Sequence, residues 1–260
     1  MFMKTNHIGV QVYTLREFMK TREDYIDTLH KIADMGYTAI QANRPWPLED
    51  AELLDTLDKL GITLSSIHDD TVSCMANPEE AVERNRHLPT KHVALPIWGR
   101  VDLTNKESVD AWLKQLNRTG EIFHQGGLQL SYHHHAAEFY RLGNRTIMDM
   151  IFEETNPEWV QWCMDVFWIQ TGGGSPLEWV QRARNRLPIL HLKDYKIKGM
   201  SKESEFAEVG NGNINFSPIL KAAYESGCRW FMVEQDICPG NPFDSIRQSL
   251  QYLKALPDPY

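Results

Sequence analysis

Four apolar runs in this chain end in groups that can hold a cation or move a proton. Trp230 to Val233 runs into Glu234, Gln235 and Asp236, VQWCMDVFW delivers Asp165, and PILHLKDY delivers His191, Lys193 and Asp194. LQLSYHHH delivers His133, His134 and His135, with Glu138 just beyond. Carboxylates packed together repel, and burial raises the cost. A divalent cation resolves both problems. Mixed oxygen and nitrogen donors suit Mn²⁺, Co²⁺, Zn²⁺ or Fe²⁺ and, less plainly, Mg²⁺. The absence of a cysteine at these run ends argues against a closed structural zinc site. Taken singly, each residue has an ordinary explanation: a loop acid is solvated or caps a helix, and a lone histidine is hydrogen-bonded within the structure. Their recurrence at the ends of successive runs is what carries chemical meaning.

The elements that must position them alternate regularly. HIGVQVYTL reads as a strand, and REDYIDTLHKIADMG as a helix with apolar residues at helical spacing, stopped at Gly36. The cycle recurs along the chain: helices are expected from about Pro78, over Lys106 to His124, near Asn144 to Glu154, from Ser175-Pro176, over NFSPILKAAYESG, and around Pro242 to Leu253. Strands are expected to begin near residues 7, 38, 62, 92, 128, 161, 189 and 230. That spacing is roughly 30 residues, the size of a βα unit. Eight such units predict a single α/β domain over residues 1–260, a (β/α)8 TIM barrel. An open doubly wound sheet fits less well, because it calls for a glycine-rich phosphate turn after the first strand, and VYTLREFMKTRED contains no glycine.

A barrel explains why polar groups follow apolar strands, since its active site lies at the C-terminal strand ends. The first four strands then contribute Gln11, Tyr13 and Arg16; Gln41, Asn43 and Trp46; His68, Asp69 and Asp70; and Trp98.

A net charge of −8 with both signs dispersed argues against a nucleic-acid binder. Cys74, Cys163, Cys228 and Cys238 form no CxxC pair, and Cys163 and Cys228 read as small packed hydrophobes. MFMKTNHIGV lacks a signal-peptide core and no apolar run approaches bilayer length, so a cytoplasmic protein without a membrane partner is expected. A homo-oligomer is left open.

The sequence resembles the xylose-isomerase-like barrel superfamily, in particular the sugar phosphate isomerase/epimerase group with inosose dehydratases, ketose 3-epimerases and apurinic endonucleases as relatives. GVQVYTLRE, GYTAIQ, SSIH, YHHHAAEF, MDVFW, HLKD, EVGNGNINF and VEQD carry the resemblance in order. It implies one divalent metal, with manganese favoured, held by a residue of the fifth strand together with Asp165, His191 and Glu234. The fifth-strand ligand is Glu138 or His133, and Glu138 is preferred because a further carboxylate better neutralises a divalent charge. Gln41 stands where many members carry a substrate-facing Glu; its amide can hydrogen-bond a sugar hydroxyl but cannot act as a base.

The implied chemistry is proton removal beside the carbonyl of a ketose or keto-polyol through a metal-stabilised enediolate. Return of the proton gives epimerisation or isomerisation, and loss of a β-substituent gives elimination. Glu234 is the favoured base, with His133, His135 and Glu138 as candidates on the opposite side. Lys193 is expected to hold a substrate oxygen, His68 to orient the substrate, and Trp46, Trp98 and Trp168 to stack on the sugar ring. TGGGSP opens a helix that could hold a phosphate, or is a flexible loop. The intact two-Glu epimerase pattern is missing at the fifth strand, which raises a dehydratase or lyase as the alternative. A DNA-repair endonuclease is disfavoured by Gln41 and the negative charge. A non-catalytic barrel subunit is disfavoured by Asp165, His191 and Glu234.

Overall fold

The structure is a computed structural model and describes residues 7–96, 101–200 and 203–256. Eight short strands close into one parallel barrel: β1 (Ile8–Gln11), β2 (Ala39–Asn43), β3 (Thr63–His68), β4 (His92–Pro96), β5 (Gln129–His133), β6 (Val160–Asp165), β7 (Ile189–Leu192) and β8 (Trp230–Val233). Each pairs with its neighbours in sequence, and β8 pairs back onto β1. Every strand begins within one residue of its expected start. β1 and β4 are buried along their whole length, as parallel strands covered outside by helices must be.

Side chains alternate between two cores. Ile40, Val93 and Leu130 belong to the large cluster that also contains Leu29, Leu53 and Leu116 of the surrounding helices. Ala39, Ala94, Cys163, Ile189, Trp230 and Met232 form a separate buried cluster that fills the lumen. Gly9 is required there, because a Cβ at that position would lie 2.5 Å from the Met232 methyl and 2.7 Å from the Ala39 carbonyl.

Helix limits follow local chemistry. Thr21 caps Arg22–Asp34 by accepting from the Asp24 N–H, and that helix buries Tyr25, Leu29 and Ile32 on one stripe. Ser175 and Pro176 open Pro176–Arg182 as expected, with the Ser175 hydroxyl accepting from the Glu178 N–H. Gly61 ends Asp50–Leu60 at φ 65°, a left-handed position that favours glycine.

Three segments depart from the sequence reading. The first strand stops at Gln11 and continues as a 3-10 helix, Val12–Phe18, because the Gln11 side chain accepts the Tyr13 N–H. Arg141–Leu142 pairs with Arg145–Thr146 in a small hairpin before the helix Ile147–Glu154, which therefore starts later than expected. Asp194–Ile197 pairs with Ser204–Ala207 in a second hairpin beyond β7. Asp194 anchors the loop that follows: its buried carboxylate accepts the N–H groups of Tyr195, Gly210, Gly212 and Ile214 at 2.8 to 3.1 Å. Gly212 lies so close that a Cβ would sit 2.3 Å from Asp194 Oδ1. Among the described residues, no helix is long and apolar enough to cross a membrane.

Candidate active site at the barrel mouth

The two-residue period of a strand builds the site directly on the lumen cluster. Cys163 and Ile189 face the lumen, so Asp165 and His191, two residues further along, face the mouth of the same channel. Ala39 is followed in the same way by Gln41, and Met232 by Glu234. Register aligns Asp165 with His191 and His133 with Cys163 across adjacent strands.

His133, Asp165, His191 and Glu234 are all buried, and each offers a donor atom within 4.8 Å of the others. Asp165 Oδ1 accepts the Phe167 and Trp168 N–H groups at 2.9 and 3.4 Å, capping the helix that starts there. Asp165 Oδ2 is buried with no hydrogen-bond donor; Lys193 Nζ lies 3.0 Å away as an ion pair, outside hydrogen-bond geometry. The same ammonium lies 2.9 Å from Glu234 Oε2 and 3.1 Å from Asp236 Oδ1. Three carboxylates thus face one lysine.

Electrostatics separates the groups. Burial would raise the Glu234 carboxyl, but Lys193 and His191 outweigh it and hold Glu234 well below the usual range. Burial pushes the Asp165 carboxyl up, against the pull of Lys193 and His191. Burial would lower Lys193, and Asp165, Glu234 and Asp236 more than restore its charge. Burial opposes a charge on His191, yet Cys163 and Glu234 beside it hold the imidazole well above its ordinary value. The remaining histidines stay neutral because burial lowers them: His68 to about 3, His134 to about 3, His135 to about 4, and His133 well below its usual value.

Glu138, preferred on the sequence over His133 as the fifth-strand ligand, is not part of this group, and His133 is. The chain turns into a 3-10 helix at Ala136–Phe139, which aims Glu138 back at β5. There its oxygens accept the Tyr132 hydroxyl at 2.6 Å and the His135 N–H at 3.0 Å. Burial raises the Glu138 carboxyl to about 7 even so. Its folded value exceeds its unfolded one, so the folded state binds more protons between the two. Stability from this group is therefore present below the unfolded value of 4.5 and lost as pH rises towards about 7. We expect wild type to lose about 3 kcal/mol relative to Glu138→Gln over that window. Denaturant unfolding of both proteins at about pH 4.5 and about pH 8 measures it; a pH-independent difference would mean that burial does not penalise the Glu138 charge.

Gln41 is drawn into the site differently from expectation. Its Oε1 accepts from His191 Nε2 at 2.6 Å and from Gln11 Nε2 at 3.1 Å, and its Nε2 donates to Ser66 Oγ at 2.7 Å. The Tyr13 N–H fixes which end of Gln11 is oxygen, and that fixes Gln41 in turn. Gln41 therefore supports His191 from behind, and both its polar ends are engaged within the protein. Gln11 was expected at the first strand's end without a role, and Cys163 was not singled out for the site on sequence, although the alternation in CMD points Cys163 to the same face as Asp165.

His68 stacks 5.7 Å from His191, and its Nε2 is buried without a partner. His135 and Lys193 both lie 5.3 Å from the Trp168 ring, whose indole nitrogen is also buried and unpartnered. These three positions bring unused polar atoms or an aromatic face to the mouth. His134 is structural: its Nε2 accepts the Asp165 N–H, so Nδ1 carries the hydrogen donated to the His135 carbonyl. Trp46 is committed to the protein, its indole N–H on Asp50 and the Arg44 guanidinium 4.0 Å over its ring. Trp98 lies outside the described residues.

An eight-stranded parallel barrel with acids and imidazoles at its C-terminal mouth defines a class, and comparison with known proteins identifies it. The chain belongs to the xylose isomerase-like TIM barrel family, whose sequence profile matches residues 29–256. It is 25% identical to an inosose dehydratase of Lacticaseibacillus casei over 258 residues, covering 91% of this chain and 80% of that protein. It is 28% identical to an inosose dehydratase of Geobacillus thermodenitrificans over 175 residues, 61% of this chain and only 58% of that protein. A crystal structure of a sugar phosphate isomerase/epimerase from Parabacteroides distasonis superposes with a TM-score of 0.79 at 25% identity, over 96% of this chain and 94% of the other.

Proposed function

We propose that the protein is a divalent-metal-dependent enzyme of carbohydrate metabolism that removes a proton beside the carbonyl of a ketose or keto-polyol. The observation that carries this is the buried set of donor atoms on His133, Asp165, His191 and Glu234, all within 4.8 Å of one another, with Asp165 Oδ2 balanced by the Lys193 ammonium 3.0 Å away. Charge supports it. Once His191 gives up its extra proton, as a metal ligand must, Asp165, Glu234 and Asp236 exceed Lys193 by two negative charges, the amount one divalent cation supplies. Asp165, His191, Glu234 and His133 would hold the ion; their oxygen and nitrogen donors suit Mn²⁺, with Co²⁺, Zn²⁺, Fe²⁺ and Mg²⁺ as alternatives. When bound, such an ion polarises a carbonyl oxygen and acidifies the adjacent C–H.

The chain's own groups supply the rest. Glu234, ionised at any ordinary pH, accepts the proton. Gln41 holds the His191 ring in place. Trp168 offers a face and an N–H to a polyol, and His68 Nε2 a further polar contact. With His133 among the cation donors and Glu138 engaged by Tyr132 and His135, the His135 imidazole is the group left on the other side; being neutral, it must first take up a proton from solvent before it can deliver one to carbon or to a leaving oxygen.

Isomerisation or epimerisation is the first reading. Dehydration is the second, favoured by His133 in place of a second carboxylate and by the likeness to inosose dehydratases. The test is incubation of the Mn²⁺-loaded protein with ketoses and inososes in D₂O. Deuterium is expected on the carbon beside the carbonyl of at least one compound. An epimer or isomer marks the first reading and loss of water the second. No exchange with any compound under any of the five ions would overturn both.

A further inference from the structure

We propose that the lumen holds a second, thiophilic metal position directly beneath the oxygen-rich one, built from Cys163, His68, His133 and His191. The two positions exclude one another, because His133 and His191 serve both. This goes beyond the proposed sugar chemistry and does not depend on it.

Four strands supply the donors: β3 gives His68, β5 His133, β6 Cys163 and β7 His191. One donor atom from each lies within 4.8 Å of the other three. Cys163 sits two residues nearer the lumen cluster than Asp165, which places this group below the carboxylates. His68 Nε2 is buried with no hydrogen-bond partner, so a lone pair or N–H there is unused by the protein. His133 Nδ1 lies 3.1 Å from the Cys163 carbonyl, which can only accept. Its hydrogen is therefore on Nδ1, and Nε2 is left with a free lone pair.

His191 decides between the positions. Its Nε2 lies 3.2 Å from Cys163 Sγ and 2.6 Å from Gln41 Oε1, and its Nδ1 lies 2.8 Å from Glu234 Oε2. With the hydrogen on Nε2, donated to Gln41, the Nδ1 lone pair faces Asp165 and Glu234 and serves the upper position. When Nε2 loses the hydrogen it donates to Gln41 and an ion replaces Gln41 Oε1 as its partner, Nδ1 keeps the hydrogen donated to Glu234 and the Nε2 lone pair serves the position beside Cys163. The carboxylate then stands behind a metal-binding imidazole, the arrangement that commonly orients histidine ligands to zinc.

A thiolate with three neutral imidazoles suits Zn²⁺, Co²⁺ and Cd²⁺ and is a poor set for Mn²⁺ or Mg²⁺. Binding releases the Cys163 thiol proton and the His191 Nε2 proton to solvent, with no change of oxidation state. A thiophilic ion at this level would withdraw His191 from the upper site and so oppose Mn²⁺.

The test uses the full chain stripped of metal. Co²⁺ is added while thiolate-to-cobalt charge-transfer absorption is followed, and Mn²⁺ binding is read by the spin resonance of free Mn²⁺ with and without Zn²⁺. The charge-transfer band is expected, and Zn²⁺ is expected to displace Mn²⁺ at lower concentration in wild type than in Cys163→Ala, where only direct replacement at the upper position remains. Cys163→Ala should abolish the band and weaken Zn²⁺ by about tenfold or more, with Mn²⁺ affinity unchanged. His68→Asn, from another strand, should weaken Zn²⁺ likewise, which guards against a misfolded cysteine variant; circular dichroism checks both. Co²⁺ bound without the band, Zn²⁺ and Mn²⁺ bound together, or Zn²⁺ binding undiminished in both variants would each overturn the proposal. A cobalt–thiolate band in a protein that binds no Mn²⁺ would uphold this position and sink the oxygen-rich one.

Discussion

Glu234→Gln is expected to lower solvent-deuterium exchange by about 10²- to 10⁴-fold, the usual contribution of a positioned base. The amide keeps the shape of the side chain and can still accept from Lys193, so the barrel should remain folded. What it loses is the capacity to take a proton and one negative charge from the cation set. His191 Nδ1 and Lys193 Nζ lie 2.8 and 2.9 Å from Glu234 Oε2, so the variant should also bind Mn²⁺ more weakly. Exchange is therefore read at saturating Mn²⁺, with near-ultraviolet circular dichroism as the fold control. Undiminished exchange in a folded, metal-saturated variant would remove Glu234 as the base. Another group, such as His135, would then have to do that work.

The second large effect concerns stability. Lys193 is almost fully buried and lies within 3.1 Å of a carboxylate oxygen on each of Asp165, Glu234 and Asp236. Lys193→Met keeps the stem's volume and removes the ammonium that touches all three. Breaking a buried ion pair from one side typically costs about 3–5 kcal/mol, because the opposite charge is left behind. The metal-free variant should therefore unfold at markedly lower denaturant concentration than wild type. Mn²⁺ should recover most of the loss, since the deserted carboxylates then have a cation. The informative quantity is the metal-induced rise in the unfolding midpoint, expected to be larger in the variant than in wild type. Equal rises, or a metal-free variant as stable as wild type, would mean that Lys193 does not balance these acids.

Much of this was readable before any coordinates. Asp165, His191 and Glu234 stand at the ends of short β-rich runs, and once the repeat of strand and helix implies a barrel, strand ends must meet at one rim. The fifth strand was not readable, because YHHHAAEF does not show where extension stops and turning starts. The chain turns there into a 3-10 helix at Ala136–Phe139, which brings Glu138 onto Tyr132 and the His135 N–H, while His133 lies beside Asp165, His191 and Glu234. Gln41 was expected to face a substrate; in the structure it hydrogen-bonds His191, 150 positions away, and such pairings leave no trace in local sequence. Trp46 was expected to stack on a sugar because it follows a strand end; Asp50, four residues on, holds its N–H instead. Cys163 was read as a packed hydrophobe. Its neighbours in the lumen are indeed mostly apolar, but its sulfur also touches His191.

The most direct measurement is anomalous X-ray scattering from crystals of the Mn²⁺-loaded protein at the manganese edge. One peak is expected within about 2.0–2.4 Å of donor atoms on Asp165, His191 and Glu234, with His133 as the fourth side chain, allowing for typical divalent-metal bond lengths. A peak bound elsewhere, or none among these four side chains in crystals grown with excess Mn²⁺, would contradict the account.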